Sequence, residues 1–318
     1  MRNLKLLLLR LLKISFLVAS IMASLLIAIQ PDPKHYYQGS LLKVRLLEQT
    51  PSPRIIVVGG SNIAWGIDSE LIEQEMGMPV INDGLDVHIG IIPLVELREH
   101  IKPGDIIIIS LEYYNFASPD DFFGIPQYQA DWIEFSPGRI KYIQSPYQNS
   151  LPMITMILQR KINRELNRYL YNDDLSEFRG IYSSKHFNTR GDFIGHLEDS
   201  TSPGMNAKYG GFPVNQLDEA FDFLKEFNQY AIHQGATVFY EAPASRQTNC
   251  ELTGIKYIRK FYSVLQSRTK ISLLTSVNNL CYPDEFFYDT PYHLNKEGRR
   301  IRTEQLIINL KAALAKIK

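Results

Sequence analysis

The chain has 318 residues, enough for one large α/β domain carrying an insertion or for two small domains. Hydrophobic residues make up 45% and charged residues 21%, the balance of a globular protein, which excludes wholesale disorder. Its 34 Lys+Arg equal its 34 Asp+Glu, so no overall field draws it toward nucleic acid, and basic residues such as Lys161, Arg164 and Arg168 read as a solvated helix face. Cys250 and Cys281 are too few for a cysteine zinc site or a disulfide framework; they form either one disulfide in an oxidising compartment or two partly buried thiols.

The first thirty residues bear on the compartment. Arg2, Lys5, Arg10 and Lys13 lead into an uncharged apolar run over residues 14–29. As a helix this run spans about 24 Å, short of the ~30 Å core of a bilayer. Residues 6–12 extend it, with Arg10 and Lys13 able to snorkel toward headgroups. Basic residues before the span and none just after it predict a single-pass signal anchor over residues 1–30, N-terminus in the cytoplasm and body outside it. The competing reading is a cleaved signal peptide. No small-x-small site closes the run at Ile27-Ala28-Ile29-Gln30, which favours the uncleaved anchor. Pro31 and Pro33 stop the helix, and residues 31–53 read as a short amphipathic connector to a domain over 54–318.

Residues 54–59 (RIIVVG) are a continuous apolar run ending in glycine, the pattern of a strand buried on both faces. A helix is predicted over 68–76 with Leu71, Ile72 and Met76 on one face, then a strand over 79–81 closed by the turn Asn82-Asp83-Gly84. A helix over 92–101 stops at Lys102-Pro103-Gly104, and residues 105–111 form the third and clearest strand. Residues 117–211 break the alternation. They are rich in Tyr, Phe, Asn, Pro and Gly, contain one good helix over 153–171, and are too long for a structureless loop, so they read as an insertion that borders a site. Alternation resumes with a helix over 217–233, a strand over 237–240, a helix over 254–267, a strand over 271–274 and a final helix over 296–315. Strands alternating with helices predict a parallel sheet covered on both faces, a three-layer α/β/α sandwich, whose ligands sit beyond the carboxyl ends of the strands.

At those ends stand Gly59-Gly60-Ser61-Asn62, Asn82-Asp83-Gly84, Glu112-Tyr113-Tyr114-Asn115 and, before the last helix, the run from Phe287 to Asn295. A hydroxyl nucleophile needs a base in hydrogen-bond reach, a group to orient that base, and donors facing the developing oxyanion. Ser61 in a glycine turn before a helix is placed for attack, His293 supplies a base, Asp289 a nearby carboxylate, and Gly84 an N–H free to approach.

The order strand–Gly-x-Ser–helix, Asn-x-Gly after the second strand, and Asp-x-x-x-His before the final helix resembles the SGNH/GDSL hydrolases over roughly residues 54–316, the insertion excepted. The resemblance implies an SGNH/flavodoxin-like fold with Ser61 as nucleophile, His293 as general base and Asp289 as its orienter. It also implies the N–H groups of Ser61 and Gly84 as oxyanion donors. Two departures stand out. The family's Asp-x-x-His is one residue longer here, which leaves two alternatives, Asp284 as the partner or a dyad without a carboxylate. Glu112 occupies the place of the family's donor asparagine, and an ionised carboxylate cannot donate. Either burial keeps Glu112 protonated, or Asn115 or Asn62 donates, or the site is impaired.

An outward-facing anchor with this constellation implies an esterase or O-acyltransferase that needs no cofactor or metal and acts on an acylated glycan or lipid-linked substrate of the cell envelope. The alternative is a non-catalytic membrane-anchored scaffold or glycan-binding module. Nucleotide binding is weaker, since Gly59-Gly60-Ser61 is neither a Gly-x-Gly-x-x-Gly nor a phosphate loop with lysine. His186, Asp192 and His196 lack helical ligand spacing and read as a polar loop at the site mouth. His88 either lines the pocket or is a polar residue at a helix N-terminus. Tyr113, Tyr114, Tyr128, Tyr142 and Tyr147 are either packing residues or faces for sugar rings.

Overall fold

The computed structural model describes residues 2–143, 150–171, 180–199, 217–276 and 279–317. Its first element, α1 (Arg2–Ala28), includes a stretch Asn3–Leu25 with mean hydropathy 2.1 in which no residue is buried against the rest of the chain. That helix is long and apolar enough to cross a membrane. A single 3-10 turn buries Tyr36 and Tyr37, and α2 (Gly39–Gln49) lays Leu47 on the core. The connector is therefore part of the folded body. Fully buried Arg54 fixes it there, donating to the carbonyls of Leu47 (2.6 Å) and His100 (2.7 Å) while pairing with Asp105 (3.3 Å).

The sheet is built from β1 (Ile55–Gly59), β2 (Val80–Gly84), β3 (Ile106–Ser110), β4 (Thr237–Tyr240) and β6 (Ser272–Leu273), all parallel in the order β2-β1-β3-β4-β6. The apolar runs divide by side-chain alternation. Ile55, Val57, Ile106, Ile108 and Phe239 pack with Leu306, Ile307 and Leu310 of α12 (Lys296–Ala315). Ile56, Val58, Ile107, Ile109 and Tyr240 pack on the other face with α5 (Ile92–Leu97), α9 (Asp218–His233) and α11 (Ile255–Thr269). A strand with both faces buried has no reason to alternate apolar with polar, which is why these runs are continuous.

Between β1 and β2 lie α3 (Ser61–Ala64) and α4 (Ser69–Met76), the latter capped by Asp68 and ended by Gly77 at φ 67°. Between β3 and α9 come α6 (Pro119–Phe123), α7 (Pro126–Phe135) and α8 (Ser150–Tyr171). After β4, the short β5 (Ser245–Arg246) pairs in parallel with β7 (Cys281–Tyr282), and α10 (Gln247–Thr253) carries Cys250 to a disulfide with Cys281. The open choice between a bond and two thiols resolves to the bond.

Three expectations are corrected. Asn82-Asp83-Gly84 is the end of β2 rather than a turn, in register with Val57, Val58 and Gly59. The α5 helix stops at Leu97, short of the predicted 101. Lys161 is not on a solvated face: it is 4% exposed and donates to the Ile29 carbonyl, while Arg164 donates to the Gln30 carbonyl and to Glu134, so α8 braces the end of α1. The side chain of Arg168, Tyr147 and the predicted insertion end near 211 lie outside the described residues.

Candidate active site

The chain leaves β1 toward β2 on one side and toward β3 on the other. A parallel sheet opens a crevice beyond the strand ends where its order reverses in this way. There lies a cavity of about 400 Å³, with Ser61, Glu112 and His293 in its wall.

Ser61 reaches it because Gly59 and Gly60 let the end of β3 press in. A Cβ on Gly59 would stand 2.1 Å from the Ser110 carbonyl oxygen, and one on Gly60 2.7 Å from Glu112 Oε1. Below the turn, Arg302 of α12 donates to the Asn62 carbonyl at 2.6 Å and to Ser110 Oγ at 3.2 Å. The Asn62 side chain donates to the same Ser110 hydroxyl at 2.9 Å.

His293 arrives from a tight loop. Tyr288 N–H donates to the His293 carbonyl at 2.8 Å, and His293 N–H donates to Thr290 Oγ1 at 3.1 Å. The closed loop folds Asp289 back so that its Oδ1 stands 2.7 Å from His293 Nδ1, which bridges the longer spacing. Tyr182 donates its hydroxyl to the other Asp289 oxygen. Burial pushes the Asp289 carboxyl upward, but the His293 bond and charge and the Tyr182 hydroxyl outweigh it and hold the group below the ordinary aspartate value. With Nδ1 donating to Asp289, Nε2 is the ring atom left to accept a proton. Asp284, the alternative partner, is elsewhere, held by Thr248 and by Arg246 at 3.2 Å.

Ser61 does not donate to His293 here. Its hydroxyl donates to Glu112 Oε1 at 3.0 Å, and Asn62 N–H donates to the same oxygen at 2.9 Å. Glu112 is 1% exposed; burial raises its carboxyl pKa against the opposing effects of the Asn62 N–H, His293 and the Ser61 hydroxyl. Three of the four donors singled out from the sequence turn elsewhere. Gly84 N–H is taken up by Asn82 Oδ1 at 3.0 Å, and Asn62 points to Ser110. Asn115 donates to the Val87 carbonyl at 3.0 Å while its Oδ1 accepts the Glu112 N–H at 3.1 Å. Side-chain bonds at the strand ends and in the loop after β3 take up these groups. The fourth, the Ser61 N–H, and the N–H of Val87, which the sequence did not point to, have no acceptor among the described residues, and Val87 N would lie 3.2 Å from a Cβ on Gly60.

Several lining residues carry no sequence signal of their own. Trp65 stacks on the His293 ring with centroids 4.1 Å apart, and its indole N–H donates to Tyr36 OH at 3.1 Å. Trp65 follows Ser61 by one helical turn, the spacing that puts two side chains on one face. Tyr36 comes from the connector and Tyr182 from the insertion; nothing in their local sequence points to the cavity. His88, Tyr114 and Tyr128 line it as well. Of the polar loop, His196 Nε2 bonds the Leu294 carbonyl at 2.8 Å beside His293. Asp192 accepts from Ser69 N–H (3.1 Å), Asn82 (2.8 Å) and Arg299 (3.0 Å), and His186 bonds the Ile181 carbonyl. Among the described residues no group of three or more His, Cys, Asp or Glu could hold a metal ion.

The chain matches no protein-family model and none of the curated proteins.

Proposed function

We propose that the chain is a serine esterase or O-acyltransferase of the SGNH/GDSL type, acting outside the cytoplasm on an acylated envelope glycan or a lipid-linked substrate. The observation that carries this reading is that Ser61 and an Asp289-oriented His293 line one cavity at the switch point of the sheet. Apolar clusters on both sheet faces support the three-layer α/β/α arrangement of that family. The Cys250–Cys281 disulfide supports an oxidising compartment, which agrees with α1 as an anchor whose basic end stays in the cytoplasm.

In this mechanism the Ser61 hydroxyl turns from Glu112 to His293 Nε2 and attacks an ester carbonyl. Asp289 and Tyr182 stabilise the imidazolium that forms. The N–H groups of Ser61 and Val87 face the oxyanion, in place of the Gly84 N–H that the resemblance implies. Glu112 serves only when protonated, since a carboxylate beside the oxyanion would repel it. The acyl-serine is then resolved by water or a sugar hydroxyl. The test is turnover of short-chain acyl esters by the full chain. Ser61→Ala and His293→Ala are each expected to lower kcat by at least about a thousandfold, in line with the loss of triad members elsewhere.

The bond from Ser61 to Glu112 favours a second reading, a membrane-anchored glycan-binding module that retains the fold without catalysis. Glycan binding that survives Ser61→Ala, with no ester turnover by the unaltered chain, would establish it instead.

A further inference from the structure

The cavity wall that holds His293 also carries a second imidazole, that of His88, held in the same manner. His88 Nδ1 lies 2.8 Å from Asp86 Oδ1, and the same oxygen accepts the His88 backbone N–H at 2.7 Å, which fixes both ring and turn. Tyr128 stacks on the ring at 4.3 Å between centroids and 19° between planes, and Tyr114 meets it edge-on at 5.2 Å. Nε2 has no partner among the described residues, and the side chain is 32% exposed in the cavity wall. The turn that carries it touches the nucleophile's turn: a Cβ on Gly60 would lie 3.1 Å from Val87 Cα. Serine chemistry needs one oriented imidazole for the serine's own proton; a second, equally oriented, calls for a second proton to move.

We propose that His88, held by Asp86, is the cavity's second proton carrier, giving a proton to the leaving oxygen of the ester and taking one from the hydroxyl that accepts the acyl group. This rests on the Ser61 chemistry proposed above. In acylation Ser61 Oγ bonds to the carbonyl carbon and its proton passes to His293 Nε2. The ester carbon–oxygen bond breaks and the departing oxygen takes the proton from His88 Nε2. In deacylation a water or sugar hydroxyl gives its proton to His88 as its oxygen bonds to the acyl carbon. The bond to Ser61 Oγ breaks, and His293 returns its proton to Oγ. Both imidazoles end as they began, and no outside donor is required.

The cycle needs His88 protonated at the start. Burial weakens its hold on a proton, but the bond and charge of Asp86, with the charge of Asp121 behind them, raise its pKa; the two tyrosine rings complete its surroundings.

The test compares His88→Gln with the unaltered full chain on p-nitrophenyl acetate, whose phenolate leaves without a proton, and on ethyl acetate, whose alkoxide does not. The ethyl ester is expected to lose kcat/KM by about 100-fold more than the nitrophenyl ester, the usual contribution of a general acid. Asp86→Asn, which leaves the imidazole in place, is expected to show a smaller difference of the same sign. Equal losses on both esters would overturn the role of His88 alone. Failure of the unaltered chain to turn over either ester would remove the Ser61 chemistry, and the role of His88 with it.

Discussion

Trp65 lies flat on His293, their planes 7° apart, and so ties the imidazole to the same helical turn that presents Ser61. Nucleophile and base are remote in sequence, yet one fully buried indole sets the ring against α3. Trp65→Ala is expected to destabilise the fold by about 3–5 kcal/mol, the usual cost of emptying a large aromatic site. Trp65→Phe keeps a stacking face and loses the bond to Tyr36, for about 1 kcal/mol. Urea unfolding of the two variants measures the difference.

Glu112 is the residue whose charge should matter most. Its carboxyl pKa is raised in the folded state, so its contribution to stability is complete below the ordinary value of 4.5 and is lost as pH rises through the folded value. Glu112→Gln keeps an oxygen for Ser61 and Asn62 but cannot ionise. The stability of this variant relative to the parent is expected to rise as pH is raised from the ordinary value of 4.5 through the alkaline range. Its ester turnover at neutral pH is expected to exceed the parent's. Denaturation midpoints and initial rates across that range check both; a stability difference that does not change with pH would contradict the first.

The Cys250–Cys281 bond closes a sequence separation of 31 residues, which joins β7 to α10 just before the loop that carries Asp289 and His293. Replacing both cysteines with alanine is expected to cost about 3–4 kcal/mol by loss of the constraint on the unfolded chain. Thermal unfolding with and without reductant measures it, and the doubly substituted chain should no longer respond to reductant.

Much of the frame is legible in the sequence, because a strand buried on both faces leaves an uninterrupted apolar run, as at Ile55 to Val58 and Ile106 to Ile109. Thr237–Tyr240 and Lys296–Ala315 fall where periodicity puts them. The candidate site is legible in its backbone-dependent parts: a glycine turn before Ser61, and a histidine just ahead of the last helix. What could not be read is set by contacts remote in the chain. Tyr182 reaches Asp289 across 107 residues, and no local pattern encodes that. Gly84 looked free because the sequence does not reveal that Asn82, two residues earlier, takes its N–H. Lys161 looked solvated because a lysine carries no mark of the Ile29 carbonyl that buries it.

The central claim is that Ser61 is a nucleophile activated by His293, and covalent labelling tests it most directly. The purified full chain is treated with a fluorophosphonate, and intact mass and peptide mapping locate the adduct. The account predicts one adduct per chain, on Ser61, lost in Ser61→Ala and strongly slowed in His293→Ala. A folded chain that takes no label at Ser61, or labels equally fast without His293, would contradict it.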